Sequence, residues 1–168
     1  VLTEHDNDAE VVSVTAALAR LARWSGLWIS AGGLHVKGDA PSDPATDRQR
    51  VYNTHLIFDS DGKIQARYDK RHLFDVSIPS QSIELRESKT TAPGTFPNVV
   101  CDSPVGRLGL SICYDVRFPE HYARMVQEKM AQILLVPSAF TVPTGAAHWH
   151  ILLQGATIKV GRALSLSL

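Results

Sequence analysis

Cysteine is nearly missing from this chain: Cys101 and Cys113 are the only two in 168 residues. Two such residues cannot build a disulfide scaffold. They fit a reducing compartment, which points to the cytoplasm, or to the mitochondrion if an N-terminal segment is missing. No apolar run is long enough to span a bilayer, and the opening residues carry no basic-then-apolar leader, so no membrane partner is expected. Net charge is absent too, because 17 Lys and Arg balance 17 Asp and Glu. That balance argues against polyanions, and therefore nucleic acid, as partners. No C-x-x-C or H-x-x-x-H pair occurs, and His148-Trp149-His150 would spread its imidazoles about 200° apart on a helix. No metal is expected. Gly26, Gly32 and Gly33 match no G-x-G-x-x-G phosphate loop, no internal repeat is visible, and no cofactor is implied.

What remains is an α/β chain long enough to bury one core, read as a single domain over residues 1–168. Asp8 is placed to cap a helix from Ala9 to about Trp24, with Val11, Val14, Leu18 and Leu21 on one buried face and Gly26 as its stop. Leu27–Ala31 reads as a buried strand running into Gly32-Gly33, and residues 37–50, with Pro41 and Pro44, read as a surface loop. Val51–Phe58 and Lys63–Tyr68 make a hairpin about Asp59-Ser60-Asp61-Gly62. The stretch from Asp69 to Pro104 reads as long and irregular, of the kind that lines a site. Arg107–Ile112 is a strand, Phe118–Met130 a helix and Gln132–Val136 a strand. A last helix runs from Thr144 to about Lys159. Strand–helix–strand–helix order argues for parallel strands, whose carboxyl ends form binding rims. Cys113 and the loop Ser138–Thr144 both lie at such ends and are expected to be neighbours.

Cys113 ends an apolar run and precedes Pro119-Glu120, the start of a helix. A strand-to-helix junction aims N–H groups beside the sulfur and favours its thiolate, although a small buried residue at a strand end would read the same way. A thiol nucleophile needs a proton acceptor and donors for the oxyanion. His72, His121 and His148 are the conventional bases. His121 reads as solvent-facing and His148 as a packed helix residue, which leaves His72 for a Cys–His hydrolase. Lys70 and Glu87 allow another machine, in which a carboxylate handles the proton and an ammonium meets the oxyanion.

Five segments combine in one order. They are Ser25-Gly26-Leu27-Trp28-Ile29-Ser30-Ala31-Gly32-Gly33; Tyr68-Asp69-Lys70-Arg71-His72-Leu73-Phe74-Asp75; Glu87-Ser88-Lys89-Thr90 with Pro93-Gly94; Gly109 through Glu120; and Pro137-Ser138-Ala139-Phe140 with Thr144-Gly145-Ala146-Ala147-His148-Trp149. Together, over roughly residues 18–154, they resemble the nitrilase (carbon–nitrogen hydrolase) superfamily. The likeness is to its Nit branch, which includes the Nit half of Nit–fragile-histidine-triad fusions, deaminated glutathione amidase and omega-amidase.

The resemblance implies an αββα sandwich, commonly dimeric, with a Cys–Glu–Lys triad and no cofactor. It implies Cys113 as nucleophile toward a small carboxylated amide, through a thioester. Lys70 and the Tyr114 backbone N–H would hold the oxyanion, and Glu87 would position Lys70. Arg117 would pair with a substrate carboxylate, and Phe140 and Thr144 would line the pocket. The triad's first glutamate has no match here, because Glu4 in Leu2-Thr3-Glu4 has too little chain before it. The general base stays unassigned. Residues 155–168 depart from the pattern, so the sandwich is expected to be incomplete, lacking its first strand and its C-terminal strands. The alternative to an active amidase is an inactive fragment serving as a binding or structural subunit, paired with itself or with a full-length homologue.

Overall fold

A computed structural model describes residues 13–160 and 164–165 of the chain. Helix α1 (Val14–Ser25) is capped by Ser13, whose hydroxyl accepts from the Ala16 N–H at 3.2 Å, and is closed by Gly26 in the left-handed conformation at φ 67°. The Asp8 cap and the helical start at Ala9 lie outside the described residues. The helix buries Leu18, Ala19 and Ala22 against Leu56 and Phe58. Val14 and Leu21, expected on that face, are instead 63% and 47% exposed. The cause is close docking on the small residues. The Ala19 carbonyl approaches Gly62 so closely that a Cβ there would clash, so the helix docks through Leu18 and its alanines, and Val14 is left at a cleft.

Strand β1 (Ile29–Val36) starts later and runs further than the sequence suggests, passing through Gly32-Gly33 with a break in register between Ala31 and Leu34. It pairs antiparallel with β2 (Tyr52–Phe58), which pairs antiparallel with β3 (Ile64–Asp69). The β2–β3 hairpin is the expected one. Asp59 accepts from the N–H groups of Asp61 and Lys63, and Gly62 supplies φ 76°. The stretch read as irregular contains a second hairpin, β4 (Asp75–Ile78) with β5 (Ile83–Arg86), and the strand β6 (Val100–Ser103). These strands have four residues each, too few for alternation to stand out from the Ser, Pro and Glu around them.

Strand β7 (Gly106–Leu110) pairs antiparallel with β6 and parallel with β8 (Ile133–Leu135), and β9 (Leu164–Ser165) extends the same sheet in parallel. The crossover from β7 to β8 carries a 3₁₀ turn (Cys113–Arg117) and then α2 (Pro119–Gln127). Helix α3 (Val142–Val160) comes after β8. Crossover and parallel pairing agree with the strand–helix order of the sequence.

Three buried clusters give the layer order. Leu18 and Ala22 of α1 meet Leu56 and Phe58 on the outer side of the first sheet. Ile57, Ala66 and Tyr68 on its inner side meet Leu108, Leu110, Ile112 and Leu135 of the second sheet. Tyr122, Met125 and Val126 of α2 and Leu153 of α3 cover the far side with Leu134 and Val136. Helix, sheet, sheet, helix is the αββα arrangement. His55, fully buried in the first sheet, stitches the layers. Its Nδ1–H donates to the Ser111 carbonyl at 3.0 Å, and its Nε2 accepts from the Ser30 hydroxyl at 2.8 Å. Burial lowers its pKa to about 4, so the ring is neutral and this tautomer is the one both partners require.

Candidate active site

Two inner-face rows run out of core residues at the same end of the sandwich. Alternate positions on a strand share a face. On β2 the row is Ile57, His55, Asn53; past β3 it is Ala66, Tyr68, Lys70. The Lys70 N–H donates to the Asn53 carbonyl at 2.8 Å, which carries the ladder one step beyond the strand and sets the two side chains level. Lys70 is only 3% exposed. A buried ammonium demands a counter-charge, and Glu87 supplies it at 2.6 Å between Nζ and Oε2.

Glu87 opens a short 3₁₀ turn (Glu87–Lys89) after β5. Its backbone is pinned by its own N–H to the Phe74 carbonyl and by the Thr90 and Thr91 N–H groups on its carbonyl. Its carboxylate is held on both oxygens. Oε2 accepts from Lys70 and from the Phe74 N–H at 2.7 Å, and Oε1 accepts from Asn53 Nδ2 at 3.1 Å.

Cys113 sits at φ 48°, a left-handed conformation that a non-glycine residue holds only under constraint. Its N–H donates to the Pro137 carbonyl at 2.9 Å, so the carboxyl ends of β7 and β8 meet at the cysteine, as their parallel order leads one to expect. Asp115, with no exposed surface, locks the turn that Cys113 begins. It accepts from the Ile112 N–H, the Tyr68 hydroxyl, the His72 N–H and His72 Nδ1, at 2.9, 2.8, 3.1 and 2.7 Å. Desolvation pushes the Asp115 carboxyl up, but the His72 bond, the nearby His121, and the Ile112 and Tyr68 donors together hold it below the ordinary range. Burial, reinforced by the Asp115 charge, pushes the Tyr68 hydroxyl up, so it remains a donor. The helix begins at Pro119, where the Pro119-Glu120 pair places it, and a 3₁₀ turn occupies the residues between it and the strand. The N–H groups in such a first turn have no acceptor within the turn, and that of Tyr114 is one of them.

Cys113, Lys70 and Glu87 line one cleft of about 940 Å³, with Asn53, Phe74 and Pro137. The structure thus brings together the three residues the sequence nominates for the chemistry. Tyr114 is next to Cys113, its ring edge-on to Phe74 at 5.0 Å between centroids. Arg117 is exposed and lies over the Tyr114 ring at 5.9 Å. Phe140, edge-on to Trp149, lines a recess of about 420 Å³ that shares Ser138 and Ala139 with the main cleft. Thr144 accepts from the Thr141 hydroxyl at 2.9 Å near the start of α3. These last three do not form the cleft wall. His72, the base of the Cys–His alternative, is also off that wall, bound to Asp115 and stacked on Phe118 at 3.7 Å. His121, read as solvent-facing, is 5% exposed among Tyr68, His72 and Tyr122, because α2 packs by that face. Sequence reasoning misses Asn53. The signal available is an amide on a strand whose alternate positions are otherwise core. Among the described residues, no group of three or more His, Cys, Asp and Glu is placed to hold a metal ion.

A family model described as carbon–nitrogen hydrolase matches residues 3–163. A deaminated glutathione amidase from Dictyostelium discoideum is 54% identical over 140 residues, which are 83% of this chain and 45% of that protein. The nitrilase and fragile histidine triad fusion protein NitFhit of Caenorhabditis elegans is 50% identical over 139 residues, 83% of this chain and 30% of the fusion. The crystal structure of the C. elegans NitFhit protein superposes with a TM-score of 0.76 at 43% identity, covering 92% of this chain and 36% of that one. The chain therefore spans less than half the length of these curated relatives.

Proposed function

The chain belongs to the carbon–nitrogen hydrolase family, and from that premise we propose that it hydrolyses the amide bond of a small carboxylated substrate through Cys113. The observation that carries the reading is the buried Lys70–Glu87 pair in one cleft with a cysteine held at a positive φ. The sulfur attacks the amide carbon. Lys70 Nζ and the Tyr114 N–H receive the charge that develops on the carbonyl oxygen. The carbon–nitrogen bond breaks as the thiol's proton ends on the departing nitrogen, which leaves as ammonia or an amine. Water then cleaves the thioester to release the acid and restore the thiol. Glu87 neither attacks nor leaves; it keeps Lys70 aimed and charged. The arrangement is consistent with Arg117 meeting the substrate carboxylate at the mouth, and with Phe140 and Thr144 shaping the adjoining recess. Two unpaired cysteines fit the reducing cytoplasm as its place of work.

The test is release of ammonia or an amine from small monoamides of dicarboxylic acids. Cys113→Ala abolishes it, and Lys70→Met lowers kcat by about 10²-fold or more, the cost of one oxyanion donor. Arg117→Ala raises KM with kcat largely kept. Release that survives Cys113→Ala overturns the reading. A folded wild-type chain that releases nothing and binds a full-length relative would assign it a structural or binding role instead.

A further inference from the structure

We propose that Asn53 is a positioning residue for the Lys70–Glu87 pair, an inference that rests on the amide-hydrolysis reading of the cleft. Hydrogen bonds among three residues close a ring. The Asn53 carbonyl accepts from the Lys70 backbone N–H at 2.8 Å, Lys70 Nζ donates to Glu87 Oε2 at 2.6 Å, and Glu87 Oε1 accepts from Asn53 Nδ2 at 3.1 Å. One residue thereby fixes both members of the pair, the lysine through its main chain and the glutamate through its carboxylate. The strand explains why this residue can do so. Asn53 continues the inner row of Ile57 and His55 into the wall of the cleft, and β1 lies alongside with His35 opposite.

The other half of the amide is informative. Asn53 Oδ1 is buried and has no hydrogen-bond partner. An unmet buried acceptor is a cost that structures avoid, so the amide is held there by the one bond it makes, to Glu87. Gly33 makes the placement possible: a Cβ at that position would stand 2.8 Å from Oδ1. The break in the β1 register at Ala31–Leu34 brings that glycine to the amide. Asparagine is the residue type the geometry asks for. It donates to a carboxylate without adding a charge, whereas aspartate of the same shape would set two carboxylates against each other.

The test reads Glu87 itself, on the whole chain labelled with ¹³C at glutamate carboxyl carbons, with the Glu87 signal identified by its loss in Glu87→Gln. The other titratable groups lining the cleft are Lys70, His35, Arg86 and Cys113, and all are kept. Asn53→Asp is expected to raise the Glu87 midpoint by about one pH unit, and Asn53→Ala by less, through loss of the donor and, for Asp, a like charge. Gly33→Ala keeps Asn53 but crowds Oδ1, and is expected to move the midpoint the same way. It decides the matter should Asn53→Asp fail to fold. In turnover, Asn53→Asp lowers kcat about 10- to 100-fold with KM within about threefold, as loss of an orienting partner does. Glu87 midpoints in Asn53→Asp and Gly33→Ala that coincide with wild type overturn the proposal. A wild-type chain without turnover would refute the reaction while leaving the carboxyl titration to decide the bond.

Discussion

Single side chains here are set by what burial forces on them. Burial lowers the His55 pKa from its ordinary 6.5 to about 4 in the folded chain. Between those values the unfolded chain takes up a proton that the folded one refuses. Stability therefore rises with pH from about 4 to 6.5 and falls on acidification across that window, by up to about 3 kcal/mol from this residue. His121, lowered by its burial, acts with the same sign. Urea unfolding at pH 7 and pH 4.5 is expected to show the loss, and His55→Gln to flatten it; an unchanged slope would refute the neutral-histidine account. At this scale the sequence is partly legible. Cys113, Lys70 and Glu87 stand out because their residue types answer a chemical need at recognisable positions. Asn53 and Asp115 do not, since an amide or carboxylate has meaning only through partners 34 or 43 residues away.

Secondary-structure elements are legible where a local signal is strong. The Asp59–Gly62 turn, the Gly26 stop and the parallel β7–β8 pair all arise from residues near one another in the chain. The β4–β5 hairpin is not legible, because four-residue strands at the surface carry too few alternations. Apolar spacing finds Leu18 on the docked face of α1 but misplaces Val14 and Leu21, because it ranks large side chains first while the rest of the docking is on Ala19 and Ala22. Close backbone approach also governs the loop after Lys70, where a Cβ on Gly94 would stand 2.0 Å from the Asp69 carbonyl oxygen. Gly94→Ala must move backbone, and is expected to cost about 1–3 kcal/mol in urea unfolding and to slow turnover with it. A neutral Gly94→Ala would mean the loop is free to shift. Ser13→Ala, which removes the α1 cap, is expected to cost about 0.5–2 kcal/mol in urea unfolding.

For the molecule as a whole, the two sheets pack through Ile57, Tyr68, Leu110 and Leu135, and the cleft lies at the end of the same inner rows, where Asn53 and Lys70 replace core side chains. Leu110→Ala, which opens a void between the layers, is expected to cost about 2–5 kcal/mol. The same assembly gives the chain two cysteines with different fates. Cys101 lies on β6 within the inter-sheet cluster, where burial, with the Asp102 charge, pushes its thiol up. Cys113 faces the cleft that holds the Lys70 ammonium. The most direct measurement is therefore the rate at which iodoacetamide alkylates each cysteine of the native chain at pH 7, located by peptide mass. Cys113 is expected to react at least about tenfold faster than Cys101, and Lys70→Met to remove most of that advantage. Equal reactivity of the two thiols, or a Cys113 indifferent to the loss of Lys70, would contradict the account.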